Sequence, residues 1–143
     1  SFQFSVDPLK TLRVWNEQMN LNGMLVITIP QTMSYLNNRF VNRVYDRCYH
    51  NFNVCNLMYM LAVNWFDCRD SYFYKAANNP WIFAAVYKTN VPPMDPMKTR
   101  WYDLIEKNLL NDSVVKSINK HGYLRQEDLL MTWLDRNYYP IVD

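Results

Sequence analysis

The residues with the clearest chemical capacity lie around His50, in the polar and aromatic segment Tyr49-His50-Asn51-Phe52-Asn53. An unperturbed imidazole titrates near neutral pH, so His50 could act as a general base for an oxygen or nitrogen nucleophile. The aromatic neighbours Tyr49 and Phe52 could stack on a planar substrate or pack in the core. His50 could equally be a hydrogen-bonded structural residue at the start of the helix that Asn53 caps. The residues alone leave both roles open.

A second candidate is a basic stripe with helical spacing, formed by Arg39, Arg43 and Arg47. Their guanidinium groups could contact the phosphates of a nucleic acid or nucleotide, or could form a solvated helix face. The formal net charge of +2 gives little reason in itself to expect nucleic-acid binding. If the stripe contacts phosphate, replacing all three arginines by Gln should weaken RNA or DNA binding and flatten its salt dependence.

Several kinds of site are excluded by the scarcity of glycine and by cysteine spacing. Gly23 and Gly122 are the only glycines, so this sequence cannot form a P-loop, a dinucleotide fingerprint or a nucleophile elbow. No Ser-His-Asp set, carboxylate pair or metal-ligand cluster has a distinctive spacing, so we predict no metal. Cys48, Cys55 and Cys68 lack C-x-x-C spacing. They are typical of buried thiols in the cytoplasm or another reducing intracellular compartment.

The elements that must position these residues follow from turn and capping signals. Asp7-Pro8 predicts a helix start, and Asn22-Gly23 its end, with Gly23 in the left-handed conformation. The apolar run from Met24 to Ile29, stopped by Pro30, does not alternate with polar residues. Such a run favours a parallel strand covered on both faces. Further along, the pattern predicts a helix over 54–64 and two antiparallel strands over 66–75 and 81–89.

The clearest boundary is the proline-rich segment 91–96, since proline disrupts helices and central strands. After it the pattern is helical, over 98–110, in a second helix that Asp112 caps and Gly122 ends, and over 126–137. We therefore predict an α/β domain over 1–91 and a helical extension over 92–143. No stretch approaches the roughly 20 apolar residues of a membrane span, so no membrane partner is expected.

Over residues 5–89 the chain resembles the C-terminal half of the class I S-adenosylmethionine-dependent methyltransferase domain, in particular its type 11/23-like members. Asp7-Pro8-Leu9 with Leu12 and Trp15 is similar to the helix before the family's fifth strand, and Met19 to Pro30 to its leucine-turn-glycine-strand-proline signature. His50-Asn51-Phe52 resembles a histidine-then-helix segment. Trp65-Phe66-Asp67 resembles the glycine-phenylalanine-acid start of the sixth strand, with Trp65 in place of glycine. The seventh strand would be Trp81 to Lys88.

The resemblance implies the closing half of a Rossmann-like sheet, comprising a buried parallel strand, helices and a final antiparallel hairpin, followed by the helical extension. Substrates of open α/β sheets approach over the carboxyl ends of the strands. The substrate side would then be lined by Pro30, Gln31, Tyr35, Tyr49 and the catalytic base His50.

The family's glycine-rich cofactor loop and its acidic partner belong upstream of the segments matched here. The resemblance therefore predicts that S-adenosylmethionine binds only together with an N-terminal half, on the same protein or on a partner chain. With that half, the function would be methyl transfer to an unidentified acceptor. The alternative is a non-catalytic structural or interaction protein that keeps the half-fold within a larger assembly. A nucleic-acid partner is the weaker expectation.

Overall fold

The computed structural model describes residues 2–30, 50, 52–75, 81–92 and 94–124. This part of the chain is mixed α/β, with a three-stranded antiparallel sheet and four α-helices. The elements, in chain order, are a 3-10 turn Phe2–Phe4, α1 Pro8–Gln18, β1 Met24–Pro30, α2 Val54–Val63, β2 Phe66–Lys75, β3 Trp81–Lys88, α3 Trp101–Glu106 and α4 Asp112–His121.

The sheet has the order β1-β3-β2, and β3 is antiparallel to both neighbours. The predicted β2–β3 hairpin is confirmed. Because β3 opposes both other strands, β1 and β2 run in the same direction with the reversed strand between them. The chain leaves β1, passes through α2 and returns as β2, which makes a split β-α-β unit.

The expectation that β1 is a parallel strand covered on both faces is wrong for the described residues. Its ladder with β3 is antiparallel, from Met24 opposite Tyr87 to Pro30 opposite Trp81. Ile27 and Ile29 are buried, whereas Met24 is 54% and Val26 58% exposed. Successive side chains of a strand point to opposite faces, and the buried core lies on only one face of this sheet. An unbroken apolar run therefore does not establish what covers its second face.

The starts of α1 and α2 form as predicted. The Asp7 carboxylate accepts a hydrogen bond from the Lys10 N–H at 3.0 Å, and Pro8 takes the first helical position. In α2, Asn53 and Asn56 cap each other's backbone N–H groups at 2.8 Å. Each side chain satisfies a donor that would otherwise lack a partner in the first helical turn.

The end of α1 differs from the prediction. Asn22, with φ of 65°, adopts the left-handed conformation that we assigned to Gly23. Glycine is needed at 23 for space, since a Cβ there would lie 2.8 Å from the Asn20 carbonyl oxygen. Gly122, with φ of 79°, ends α4 as predicted.

The described part of the helical extension packs on the same core as the sheet. The Cys68 N–H donates to the Leu109 carbonyl at 2.9 Å, and a short parallel bridge joins Cys68 to Leu110. The shared core contains Leu12, Ile29, Leu57, Leu61, Phe66, Phe73, Ile82, Leu104, Leu110 and Ile118. The division of the chain into domains at residue 92 stays a prediction.

Two helices of the extension are shorter or shifted relative to their predictions. The one expected over 98–110 is confined to Trp101–Glu106 and is followed by Asn108 in the left-handed conformation, with φ of 57°. Asn111, rather than Asp112, caps α4 by accepting a hydrogen bond from the Ser113 N–H at 3.0 Å. The helix expected over 126–137 lies outside the described residues. None of the described helices has the length and apolarity needed to cross a membrane.

Candidate site at the carboxyl end of the sheet

The starts of α1 and α2 lie at the carboxyl ends of β1 and β2. A short connection joins the end of α1 to β1, so the helix runs antiparallel to the strand and starts near the strand's far end. The same argument applies to α2 and β2. Since β1 and β2 run in one direction, Asp7 and Asn53 cap their helices at a common end of the sheet. We call this the carboxyl end.

His50 is held at the carboxyl end by the segment that leads into α1. Its Nε2 lies 3.0 Å from the carbonyl oxygen of Val6. Two residues later, Phe52 is buried and its ring centroid is 5.3 Å from that of Phe2. Phe2 in turn packs against Trp15 of α1, with ring centroids 5.6 Å apart. This aromatic group fixes the His50 segment to α1.

The Val6 contact determines what the imidazole can do. A carbonyl oxygen only accepts, so Nε2 must carry the hydrogen and donate it. A hydrogen bond of this kind selects the tautomer and the orientation of the ring. Any proton abstraction by His50 in this geometry therefore falls to Nδ1.

The structure places two of the predicted site residues. Pro30 ends β1 opposite Trp81 and is half-buried, so it lies at the carboxyl end together with His50. The other predicted residues lie outside the described residues, namely Gln31, Tyr35, Tyr49, Arg39, Arg43 and Arg47.

A buried polar junction at the opposite end of the sheet was missed by the sequence reading. The Arg13 guanidinium lies over the Trp65 ring, 5.6 Å from its centroid, and donates to the Met94 carbonyl at 2.9 Å. Asn16 is fully buried and donates to the Asn64 carbonyl at 2.9 Å. These contacts tie α1 to the end of α2 and to the proline-rich segment. The available signal was Asn16, a polar residue four positions after Leu12 on the apolar face of α1.

The Cys68 thiol is not placed for chemistry at neutral pH. Burial raises the pKa of the Cys68 thiol well above its usual range, and the nearby Asp67 carboxylate adds to the shift. A neutral thiol is a poor nucleophile and metal ligand. Cys55 is half-buried, and Cys48 lies outside the described residues. Within the described ranges, no group of three or more His, Cys, Asp or Glu residues could hold a metal ion.

Comparison of the chain with protein-family models, curated proteins and solved structures gives no match.

Proposed function

We propose that this chain is the substrate-side half of an S-adenosylmethionine-dependent methyltransferase domain. The observation that supports this most is the strand order β1-β3-β2, with β3 reversed between two strands of common direction. The class I methyltransferase sheet closes in the same way, with a hairpin whose last strand is reversed. The order of helices before and after β1 agrees with the same fold.

The backbone at Trp65 gives separate support. Trp65 has φ of 72°, a left-handed conformation that glycine adopts readily and that costs other residues free energy. The resembled family has glycine at this position, immediately before its sixth strand. A glycine-type conformation at a non-glycine residue favours descent from a sequence in which glycine stood there.

The described residues do not themselves form a site for S-adenosylmethionine. The sequence has no glycine-rich turn, and the Asp7 carboxylate at the carboxyl end is already engaged with the Lys10 N–H. The cofactor side of the domain therefore has to come from polypeptide outside the described residues. This chain would contribute an imidazole oriented by Val6, which could accept a proton from an oxygen or nitrogen methyl acceptor.

The test is calorimetric titration with S-adenosylmethionine, preceded by the intact mass of the purified protein. A protein that carries the complementing half should bind with a micromolar Kd, whereas the 17.3 kDa chain alone should give no heat. In the complemented protein, His50→Asn should leave the Kd within about twofold and slow turnover by roughly 10²-fold or more. Absence of binding by the complemented protein would contradict the proposal.

A second candidate is a non-catalytic assembly protein, and the exposed face of the sheet favours it. Val26 is 58% and Met24 54% exposed, although both are apolar strand residues. A stable complex that forms without S-adenosylmethionine, and that never binds it, would make this the better account.

A further inference from the structure

The polar junction between α1 and the end of α2 contains buried polar atoms that the described residues leave without a hydrogen-bond partner. These atoms are Arg13 Nε, Asn16 Oδ1, Asn64 Oδ1 and Trp65 Nε1. Asn16 and Asn64 are fully buried, and Trp65 is nearly so. A buried polar group without a partner destabilises a protein, so native structures almost always supply one.

The four atoms come from two short segments that are in direct contact. Arg13 and Asn16 are three residues apart on α1 and therefore lie on the same face of that helix. Asn64 and Trp65 are consecutive and connect α2 to β2. The Asn16 Nδ2 donates to the Asn64 carbonyl oxygen at 2.9 Å. The Arg13 guanidinium lies 5.6 Å from the centroid of the Trp65 ring. The atoms without partners therefore lie within one small region.

The orientation of both asparagine amides is fixed by their other hydrogen bonds. Asn64 Nδ2 donates to the Met60 carbonyl oxygen at 2.8 Å, as Asn16 Nδ2 does to that of Asn64. A carbonyl oxygen only accepts, so turning either amide over would place two oxygens against each other. Both Oδ1 atoms are therefore acceptors, whereas Arg13 Nε and Trp65 Nε1 are donors.

The combination of two donors and two acceptors selects the ligand. A bound anion would suit the guanidinium and indole N–H groups but would be repelled by the two amide oxygens. A bound cation would suit the oxygens but would be repelled by the Arg13 guanidinium. A water molecule can both accept and donate, and buried waters bridge about two to four such groups. The contact between Asn16 and Asn64 holds α1 against the end of α2, which favours this smallest ligand.

We infer that the polar junction binds one internal water molecule. The water accepts hydrogen bonds from Arg13 Nε and Trp65 Nε1. It donates its own hydrogens to Asn16 Oδ1 and Asn64 Oδ1, so that all four groups are satisfied at once. The water joins α1 to the connection between α2 and β2. The junction is separate from the carboxyl end of the sheet, so this site stands whether or not the chain transfers methyl groups.

A crystal structure of the whole chain tests the site directly. We expect electron density for a water within about 3.2 Å of all four atoms. Density for a water that contacts fewer than three of them, or the absence of such density, would overturn the inference.

Nuclear Overhauser spectroscopy tests in solution whether the water is held. Magnetisation should pass between water and the Trp65 indole N–H, with cross peaks of opposite sign in the laboratory and rotating frames. Surface hydration and proton exchange give the same sign in both frames, and that result would contradict an internal water. The Thr89 hydroxyl donates to the Trp65 carbonyl at 2.8 Å and could relay magnetisation. Thr89→Val should therefore leave the cross peak unchanged, and its loss in this variant would assign the signal to the hydroxyl.

Titration with chloride distinguishes a water from an anion. At constant ionic strength, with sulfate as the balancing anion, the resonance of the Trp65 indole N–H should show no saturable shift. A saturable shift would assign the Arg13 and Trp65 donors to an anion and overturn the inference.

Asn16→Leu tests whether the four groups act together, because it removes one acceptor with little change in side-chain size. In the folded variant the water cross peak at Trp65 should weaken by about threefold or more. Gln18→Leu makes a similar change at an exposed position of α1 and should leave the cross peak unchanged. Arg13→Met removes a donor but keeps the apolar stem, and it serves if Asn16→Leu does not fold. A cross peak of full intensity in either folded variant would overturn the inference.

Discussion

At the scale of the residue, Trp65 combines an unfavourable backbone with favourable side-chain contacts. Its left-handed conformation costs roughly 1–2 kcal/mol for a residue with a Cβ. Trp65 is 9% exposed, and its indole lies under the Arg13 guanidinium. Burial of so large an apolar group contributes about 2–3 kcal/mol. The free energy gained by burying the Trp65 side chain therefore offsets the free energy lost to its left-handed backbone conformation.

The strained backbone at Trp65 predicts that glycine is tolerated better than alanine there, the reverse of their order inside a helix. Trp65→Gly and Trp65→Ala should both lower the free energy of unfolding, but the alanine variant by about 1 kcal/mol more, because only alanine retains the strained φ. At Val115, inside α4, the ordinary order should hold, with glycine about 1 kcal/mol worse than alanine. Urea denaturation measures all four variants. Equal stability of the two Trp65 variants would show that the left-handed φ at this position does not destabilise the protein.

The buried Cys68 thiol predicts a pH dependence. Its pKa in the folded protein lies well above the reference value of 9.0, because burial disfavours the thiolate. The stabilising effect of keeping it neutral is complete below the unfolded pKa and is lost as pH rises towards the folded pKa. The free energy of unfolding should fall above about pH 9, by up to approximately 1.4 kcal/mol per pH unit for this one proton.

Cys68→Ala separates this contribution from that of other groups, including Tyr59, whose pKa is raised by burial and by Asp103. The variant should be less stable than the parent at pH 7 and should lose less stability between pH 8 and 10 (about the range over which an ordinary thiol titrates). Chemical denaturation at a series of pH values makes the comparison. Parallel curves for the two proteins would show that the Cys68 thiol does not set the slope.

At the scale of the element, Lys88 stabilises the end of α1 from a distant strand. Its ammonium group donates to the carbonyl oxygens of Asn16 at 2.6 Å and Met19 at 2.7 Å. The last carbonyls of a helix have no partner within the helix, and the helix dipole favours a cation there. This contact joins the end of β3 to α1 at the start of β1.

Lys88→Met should therefore lower the free energy of unfolding by about 1–2 kcal/mol, since two carbonyl partners are lost while the apolar stem is kept. Lys98→Met, at an exposed site, is the control and should change stability by less than about 0.5 kcal/mol. Thermal unfolding of both variants measures the difference. Similar midpoints of thermal unfolding for the two variants would show that Lys88 contributes no more to stability than an exposed surface lysine.

Local signals predicted the elements well, and distant contacts account for what they missed. Asp7-Pro8, Asn53 and Gly122 each act on their own helix end, and the structure confirms them. The coverage of β1 depends on which helices pack against it, which its own apolar run does not encode. The same limit applies at the candidate site. The His50 imidazole was evident, but its tautomer depends on the carbonyl of Val6, 44 residues away.

At the scale of the whole molecule, the sheet combines one pair of strands that are adjacent in the sequence with one pair that are far apart in it. β2 and β3 follow one another directly and can pair as a local hairpin. β1 pairs only with β3 in the described sheet, across a separation of 51 to 63 residues. Loop closure makes such distant pairing later and slower than the hairpin.

Pulsed hydrogen exchange during refolding should show this order directly. The β3 amides that face β2, those of Phe83 and Ala85, should gain protection before those of Ile27 and Ile29 in β1. Slowing the hairpin with Ala85→Gly should delay both sets, because β1 needs β3 as its template. Simultaneous protection of all three strands would instead indicate a single concerted step.

The strand order also has a consequence for synthesis on the ribosome. Of the three described strands, β1 leaves the exit tunnel first but pairs with the one that leaves last. At approximately 5–20 residues per second, its apolar residues wait for about 3–12 s before β3 is complete. During that interval β1 is a natural target for chaperones. A polypeptide that stops before Trp81 would never supply the template, so translation of β3 decides whether β1 is paired or left open to degradation.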